Sequence, residues 1–105
     1  MTNFSKKVLN LTKQIPKGKI TTYKQLAAAA GNPQASRAAG NALNKNTRPI
    51  IIPCHRVIKS TGKVGGYSGG KEKKLALLKK EGIPIKEGRI INLKHHLHKF
   101  KKSDA

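Results

Sequence analysis

Cysteine, acidic residues and aromatic rings are all scarce in this chain of 105 residues, which has one cysteine, four acids, four aromatic rings and no tryptophan. A single cysteine cannot form an internal disulfide, so the sequence gives no sign of an oxidising compartment. The sequence also lacks an apolar run of the length that a signal peptide or a membrane span requires. We expect one soluble, intracellular domain with a modest core.

The shortage of acids leaves a large excess of positive charge. Twenty-three Lys and Arg residues face four acids, which gives a formal net charge of +19. Most of these cations have no acid to pair with, and such a surface attracts polyanions. Nucleic acid, rather than an anionic membrane surface, is therefore the expected partner, and its binding should depend strongly on salt. We expect the protein in the cytoplasm on the nucleoid, or in the nucleus if the source is eukaryotic.

The spacing of apolar residues predicts mainly α-helical structure. Residues 3 to 15 carry one apolar stripe at intervals of three to four residues, which is typical of a helix. A second helix is predicted from Ile20 to Ala30, because Thr22 and Gln25 fit a capping box. Lys71 to Glu81 predicts a further helix, and residues 88 to 91 predict a short strand or wing.

A third helix, predicted from Gln34 to Lys45 with Asn32 as its cap and Pro33 as its first residue, completes a helix-turn-helix pattern. A helix that reads the major groove usually presents several long polar side chains, whereas this one has small residues around Arg37. Small residues suit either tight packing inside the protein or a close approach to DNA with one inserted side chain. Both interpretations stay open at this point. The candidate contact residues here are Ala35, Arg37, Ala38 and Gly40.

Two other segments have a distinctive composition. Residues 50 to 58 are predicted to be extended or loop-like, and not helical, around a break at Pro53-Cys54-His55, and a glycine-rich loop follows them. Residues 93 to 105 are basic and rich in histidine, and we interpret them as a solvated tail appended to a domain of residues 1 to 92. The histidine spacing does not match a closed zinc site, so no metal is predicted.

Cys54, the only cysteine, permits two interpretations. A lone cysteine in a small domain is more often buried and structural than reactive. However, His55 is adjacent and can act as a base near neutral pH. Pro53 breaks the extended run, so the two side chains need not point to opposite faces. A histidine in this role needs a third group to orient it, and Glu81 is the best candidate among the four acids.

The segments "ITTYKQLAAAAGNPQASRAAGNALNKN", "PCHRVI" and "GKVGGYSGGKEKKLALLKKEG" together resemble the O6-alkylguanine-DNA alkyltransferase family. The resemblance covers about residues 4 to 91, and PCHR in this context is highly specific. It implies a small, mainly helical domain with a short β element, whose winged-helix-like helix-turn-helix enters the minor groove of duplex DNA.

The activity that the resemblance implies is repair of O6-alkylguanine, which is flipped out of the duplex. The alkyl group would pass irreversibly to the protein's own cysteine, once per molecule and without a cofactor. Most members carry an additional N-terminal domain, so we expect a minimal version here. We also expect it to be a monomer. Whether several copies line up on DNA stays open.

The resemblance also implies roles for individual residues. The family's nucleophile, base and orienting acid map onto Cys54, His55 and Glu81. Asn46 matches an asparagine that braces the active-site turn, Tyr23 a tyrosine at the flipped nucleotide, and Arg37 an arginine that fills the gap in the base stack. The other candidates for contact with the base or with DNA are Thr22, Arg56, Tyr67 and Ser68.

Two other functions remain as alternatives. A non-catalytic alkyltransferase-like protein would bind the same lesions and signal to another repair pathway, but tryptophan or alanine commonly stands at the cysteine position of such proteins. An ordinary helix-turn-helix protein would use Cys54 only to fill its core.

Gly66 departs from the family, which usually has asparagine or a similar residue before the loop tyrosine.

Overall fold

Helices make up most of the regular structure in this computed structural model, which describes residues 3–45, 52–66 and 70–100. The helices are α1 (Asn3–Lys13), α2 (Tyr23–Ala29), α3 (Ser36–Asn44), α4 (Lys71–Lys80) and α5 (Leu93–His96), and a 3₁₀ turn spans Cys54–Arg56. The strands are β1 (Thr21–Thr22), β2 (Val57–Ile58), β3 (Ile85–Lys86) and β4 (Arg89–Ile90). This architecture confirms the predicted fold class.

Helices α1, α2 and α3 pack around one apolar cluster, which we call the first cluster. Val8 and Leu11 contribute to it from α1, at the helical spacing that the sequence predicts. Leu26 of α2 is fully buried in it. Ala39 and Ala42 supply the contacts of α3 and allow the helices to pack closely. Small residues on this face of α3 therefore serve packing within the protein.

A short parallel strand pair connects the start of α2 to the segment that follows Cys54. Thr21 pairs with Val57, and Thr22 pairs with Ile58. Successive side chains of a strand point to opposite faces, and accordingly Val57 packs into the first cluster while Ile58 packs into a second cluster. The pair holds the N-terminus of α2 beside the Cys54–Arg56 turn.

The second cluster forms the core of the C-terminal half. Helix α4 contributes Leu78, which is fully buried. Strands β3 and β4 form an antiparallel hairpin with Ile85 opposite Ile90. The other buried members of the cluster are Ile20, Ile58, Val64 and Ile83.

The predicted start of α2 at Ile20 is wrong, because Thr21 and Thr22 are extended and paired with β2. The helix begins at Tyr23 instead. The predicted cap is confirmed, since the Thr22 side-chain oxygen accepts a hydrogen bond of 3.1 Å from the Gln25 amide. Strand pairing and capping thus meet at one residue.

The predicted start of α3 near Gln34 is also wrong, because the helix begins at Ser36. Asn32 does not cap the helix. Its side-chain oxygen accepts from the Gln34 amide at 3.3 Å, and its carbonyl accepts from the Ala35 amide at 3.0 Å. These bonds close a separate turn between α2 and α3, which is a common use of asparagine.

Residues 93–100 are part of the domain, so the predicted boundary at residue 92 is wrong. The Ile20 amide donates to the His96 carbonyl at 2.9 Å, and the His98 amide donates to the Ile20 carbonyl at 2.7 Å. Three apolar side chains of the segment pack against the two clusters, namely Leu93, Leu97 and Phe100. The basic composition of the segment conceals these apolar anchors in the sequence.

Candidate active site

The Cys54–Arg56 turn carries the candidate nucleophile and its neighbouring base. The Arg56 amide closes the turn by donating to the Pro53 carbonyl at 2.9 Å. Cys54 is 6% exposed and His55 is 1% exposed. The sequence predicts a segment that is extended or loop-like and not helical; Val57–Ile58 are extended, but Cys54–Arg56 form a 3₁₀ turn, which the fixed φ of Pro53 also suits.

Glu81 lies just after α4 and connects this helix to the turn. Its Oε2 atom is 3.0 Å from Nε2 of His55, which confirms that the two predicted partners meet. Glu81 also accepts two hydrogen bonds from Arg56, from Nε to Oε1 at 2.9 Å and from Nη2 to Oε2 at 2.6 Å. A two-pronged contact of this kind fixes both the position and the orientation of the carboxylate.

Arg56 faces into the protein. In addition to the two bonds to Glu81, its Nη1 atom donates to the Ile15 carbonyl at 2.8 Å. The expectation that Arg56 contacts substrate or DNA stays a prediction, while within the domain every nitrogen of the guanidinium already has a partner.

The electrostatics of the site favour a neutral imidazole beside a charged carboxylate. Burial lowers the pKa of His55 below its ordinary value; Glu81 opposes this change, and Arg56 and Lys74 add to it. Burial alone would raise the pKa of Glu81, but the hydrogen bonds from Arg56 and His55 bring it below its ordinary value. At neutral pH, His55 is therefore an uncharged base that Glu81 orients.

Lys74 on α4 is a buried cation that sequence analysis missed. Its side chain is fully buried, and its Nζ atom donates to the carbonyls of Val57 at 2.6 Å and Gly66 at 3.1 Å. Burial lowers the pKa of Lys74 to about 8, with Cys54 opposing the change and Lys59 adding to it. An ammonium group in the neighbourhood of Cys54 would stabilise negative charge on its sulfur.

The helical spacing of α4 contains a signal that points to Lys74. This lysine lies four residues before the buried Leu78, and hence on the same face of the helix. A fully buried lysine is rare unless its ammonium group has partners. A lysine at a core position of an amphipathic helix is therefore a candidate functional residue.

Tyr23, the first residue of α2, connects the turn to a surface cavity of about 540 Å³. Burial raises the pKa of the Tyr23 hydroxyl, and Cys54 adds to this change. The Lys74 ammonium lies 5.7 Å from the centre of the tyrosine ring. Arg37 and Lys59 line the same cavity. The tyrosine is thus near the thiol and also lines a cavity whose walls carry positive charge.

The outward face of α3 presents Arg37 and Ala38, which are both exposed. Gly40 is half-buried on the same helix, and a side chain there would begin 3.8 Å from the Tyr23 ring. Ala35 is half-buried just before the helix. Because Ala39 packs on the opposite face, the two interpretations of the small residues apply to different sides of α3.

Several predicted roles remain predictions. Asn46, Tyr67 and Ser68 lie outside the described residues. Thr22 is 4% exposed and its hydroxyl oxygen caps α2, and its predicted contact with a phosphate is untested. Within the described ranges, no helix is long and apolar enough to span a bilayer.

Comparison with known proteins identifies close relatives of the chain. Residues 3–83 match the family model described as 6-O-methylguanine DNA methyltransferase, DNA binding domain. The methylated-DNA–protein-cysteine methyltransferase of Rattus norvegicus is 52% identical over 84 residues, which are 78% of this chain and 40% of that protein. Its namesake in Methanosarcina acetivorans is 52% identical over 81 residues, 77% of this chain and 52% of that one. The chain thus spans about half the length of these curated relatives.

Solved structures share the fold. S. pombe Atl1, in complex with damaged DNA containing O6-carboxymethylguanine, has a TM-score of 0.83 at 30% identity, covering 94% of this chain and 97% of that one. Mycobacterium tuberculosis OGT, in complex with DNA, has a TM-score of 0.74 at 43% identity, covering 77% of this chain and 50% of that one. The family model spans α1 to α4 and includes both Cys54 and Glu81. From this match and these identities, the chain belongs to the 6-O-methylguanine DNA methyltransferase family and contains the DNA-binding domain of that family.

Proposed function

We propose that this protein repairs O6-alkylguanine in double-stranded DNA by transferring the alkyl group to Cys54. The observation that carries the proposal is the placement of Cys54 directly before His55, whose Nε2 atom is 3.0 Å from Glu81. Cys54 also adds to the rise that burial causes in the pKa of Tyr23. Tyr23 and Arg37 line the same cavity. Relatives named methylated-DNA–protein-cysteine methyltransferase support this reaction class.

The proposed reaction is a displacement at the alkyl carbon. His55 receives the proton of Cys54, and Glu81 stabilises the resulting imidazolium. The thiolate forms a sulfur–carbon bond while the bond from that carbon to O6 breaks and leaves its electron pair on the guanine. A proton then neutralises the base, and the Tyr23 and Ser68 hydroxyls are the proposed donors toward the developing negative charge. The thioether is stable to water, so each molecule reacts once.

Recognition of DNA would combine charge with close approach. Arg37 is exposed on α3 beside Ala38, so it can enter the stack from the minor groove while the small side chain allows the helix to approach. The remaining affinity would come from phosphate contacts, which carry no sequence information. A repair protein that works at any sequence benefits from this type of binding.

A second candidate function is recognition of the lesion without transfer. S. pombe Atl1, which was crystallised with damaged DNA, matches this chain over nearly the full length of both proteins. The presence of Cys54 in a turn with His55 favours the transferase, since a protein that only binds needs neither the thiol nor the base.

One experiment separates the candidates. The protein is incubated with duplex DNA that contains a single O6-methylguanine, and its intact mass is then measured. Transfer predicts a gain of one methylene unit in mass, located on Cys54 and absent from Cys54→Ala. Tight binding to the lesion without a change in mass would favour the second candidate, and an unchanged mass together with equal binding to damaged and undamaged duplex would exclude both.

A further inference from the structure

The Arg56 side chain connects its own turn to two other segments of the chain, one after α1 and one after α4. It lies on the turn that begins with Cys54, and its guanidinium contacts both Glu81 after α4 and the Ile15 carbonyl after α1. The side chain is 15% exposed, and that of Glu81 is 11% exposed. An ion pair this well covered, with three hydrogen bonds in the fork geometry of arginine, has little freedom to rearrange.

We propose that Arg56 is a positioning residue of the proposed alkyl transfer: its guanidinium holds the Glu81 carboxylate so that Glu81 orients His55 and does not take up the proton that leaves Cys54. The inference rests on the proposed function for the identity of the reaction. The arrangement of the three side chains does not depend on which alkyl donor reacts.

The charges around the site explain why this arrangement suits a proton transfer. In the resting site, the positive charge of Arg56 balances the negative charge of Glu81, so the neighbouring His55 need not be protonated to balance it. When the Cys54 proton moves to His55, an imidazolium and a thiolate appear together and the total charge does not change. Lys74 on α4 also acts on His55 and disfavours an additional positive charge there, and Tyr23 on α2 lies near Cys54 and Lys74.

Without Arg56, the contact with His55 would be the one that remains of the three described side-chain contacts of Glu81. A carboxylate next to an imidazole favours the protonated imidazole, and a protonated imidazole cannot accept the cysteine proton. The shared cation thus keeps the base available. The Ile15 contact matters because it prevents the guanidinium from turning away from Glu81, and a lysine cannot make all three contacts at once.

The test uses Arg56→Met and Arg56→Lys, with Arg89→Met as the control for the loss of an exposed arginine. The readout needs no DNA: it is the NMR titration of the His55 ring in each variant. We expect the His55 titration to move to higher pH in Arg56→Met, because the imidazolium loses a neighbouring cation while Glu81 remains. Arg56→Lys should show a smaller displacement in the same direction, and Arg89→Met none.

An unchanged His55 titration in Arg56→Met, together with weaker binding to DNA, would overturn the proposal and make Arg56 a DNA contact. An equal displacement in Arg89→Met would also overturn it, because the effect would then reflect total charge. If circular dichroism shows that Arg56→Met is unfolded, Arg56→Lys decides by the same criteria. A displaced titration in a protein that accepts no methyl group from DNA would uphold the positioning role while the proposed function fails.

Discussion

The two halves of the domain bury polar groups in different ways. In the helical half, Thr12 donates to the Val8 carbonyl four residues earlier, and Thr22 accepts from the Gln25 amide three residues later. In the C-terminal half, His55 meets Glu81 across 26 residues, and Lys74 meets Val57 across 17. These two threonines bond to backbone a few residues away, whereas the two C-terminal pairs form only when distant segments of the chain meet.

This difference separates the two tasks of the protein. A threonine that bonds to its own helix adds little beyond local stability. Burying a lysine, a histidine and a carboxylate costs desolvation energy, and a purely structural role does not require such groups. Clusters of this kind mark functional sites. Breaking the helical half should therefore change stability, whereas breaking the polar cluster should change reactivity and its dependence on pH.

The largest effect on stability is expected from Leu26→Ala, which removes a fully buried side chain from the first cluster. The free energy of unfolding, measured by urea denaturation, should fall by about 2–5 kcal/mol because a cavity remains. Ile91→Ala is the matched control: this side chain is 42% exposed, so the loss should be within about 0.5 kcal/mol. Similar losses in both variants would mean that the first cluster is not the main source of stability.

Lys74→Met tests the polar cluster through the pH dependence of the free energy of unfolding. The pKa of Lys74 is about 8 in the folded domain and 10.5 as its ordinary value, so the unfolded chain binds more protons between these values. Stability should therefore rise with pH in this window, at about 1.4 kcal/mol for each unit of pKa difference. Urea denaturation between about pH 7 and 10.5 should show this rise in the native protein and lose it in Lys74→Met. The exposed Lys73→Met variant should keep the rise, and a rise that persists in Lys74→Met would contradict the assignment.

The smallest effect on stability is expected from Arg37→Ala, since Arg37 is exposed on α3. The free energy of unfolding should change by less than about 0.5 kcal/mol. Repair of O6-methylguanine in duplex DNA should nevertheless slow far more than reaction with the free alkylated base, because only the duplex has a gap for the side chain to fill. Arg89→Ala serves as the charge control. Equal losses on the two substrates would remove the stack-filling role.

The same division explains how much of the structure the sequence could predict. Helix α1, the Thr22 cap and the course of α4 depend on residues three or four positions apart. The apolar spacing predicted the two helices, and the pairing of Thr22 with Gln25 predicted the cap. The pairing of His55 with Glu81 was also predicted, because so few acids are available to orient a base. Other contacts depend on segments that only the fold brings together. The parallel strand pair, the inward turn of Arg56 and the packing of Leu97 belong to this group.

A single 3₁₀ turn also makes the order of its three residues significant. Such a turn advances about 120° per residue, so Cys54, His55 and Arg56 leave the backbone in three directions, and the His55 and Arg56 side chains nevertheless both reach Glu81. Exchanging the imidazole and the guanidinium would keep the composition and charge of the segment but move the imidazole away from the position next to Cys54 and the guanidinium away from the Ile15 carbonyl. The order of these three residues therefore matters as much as their identity.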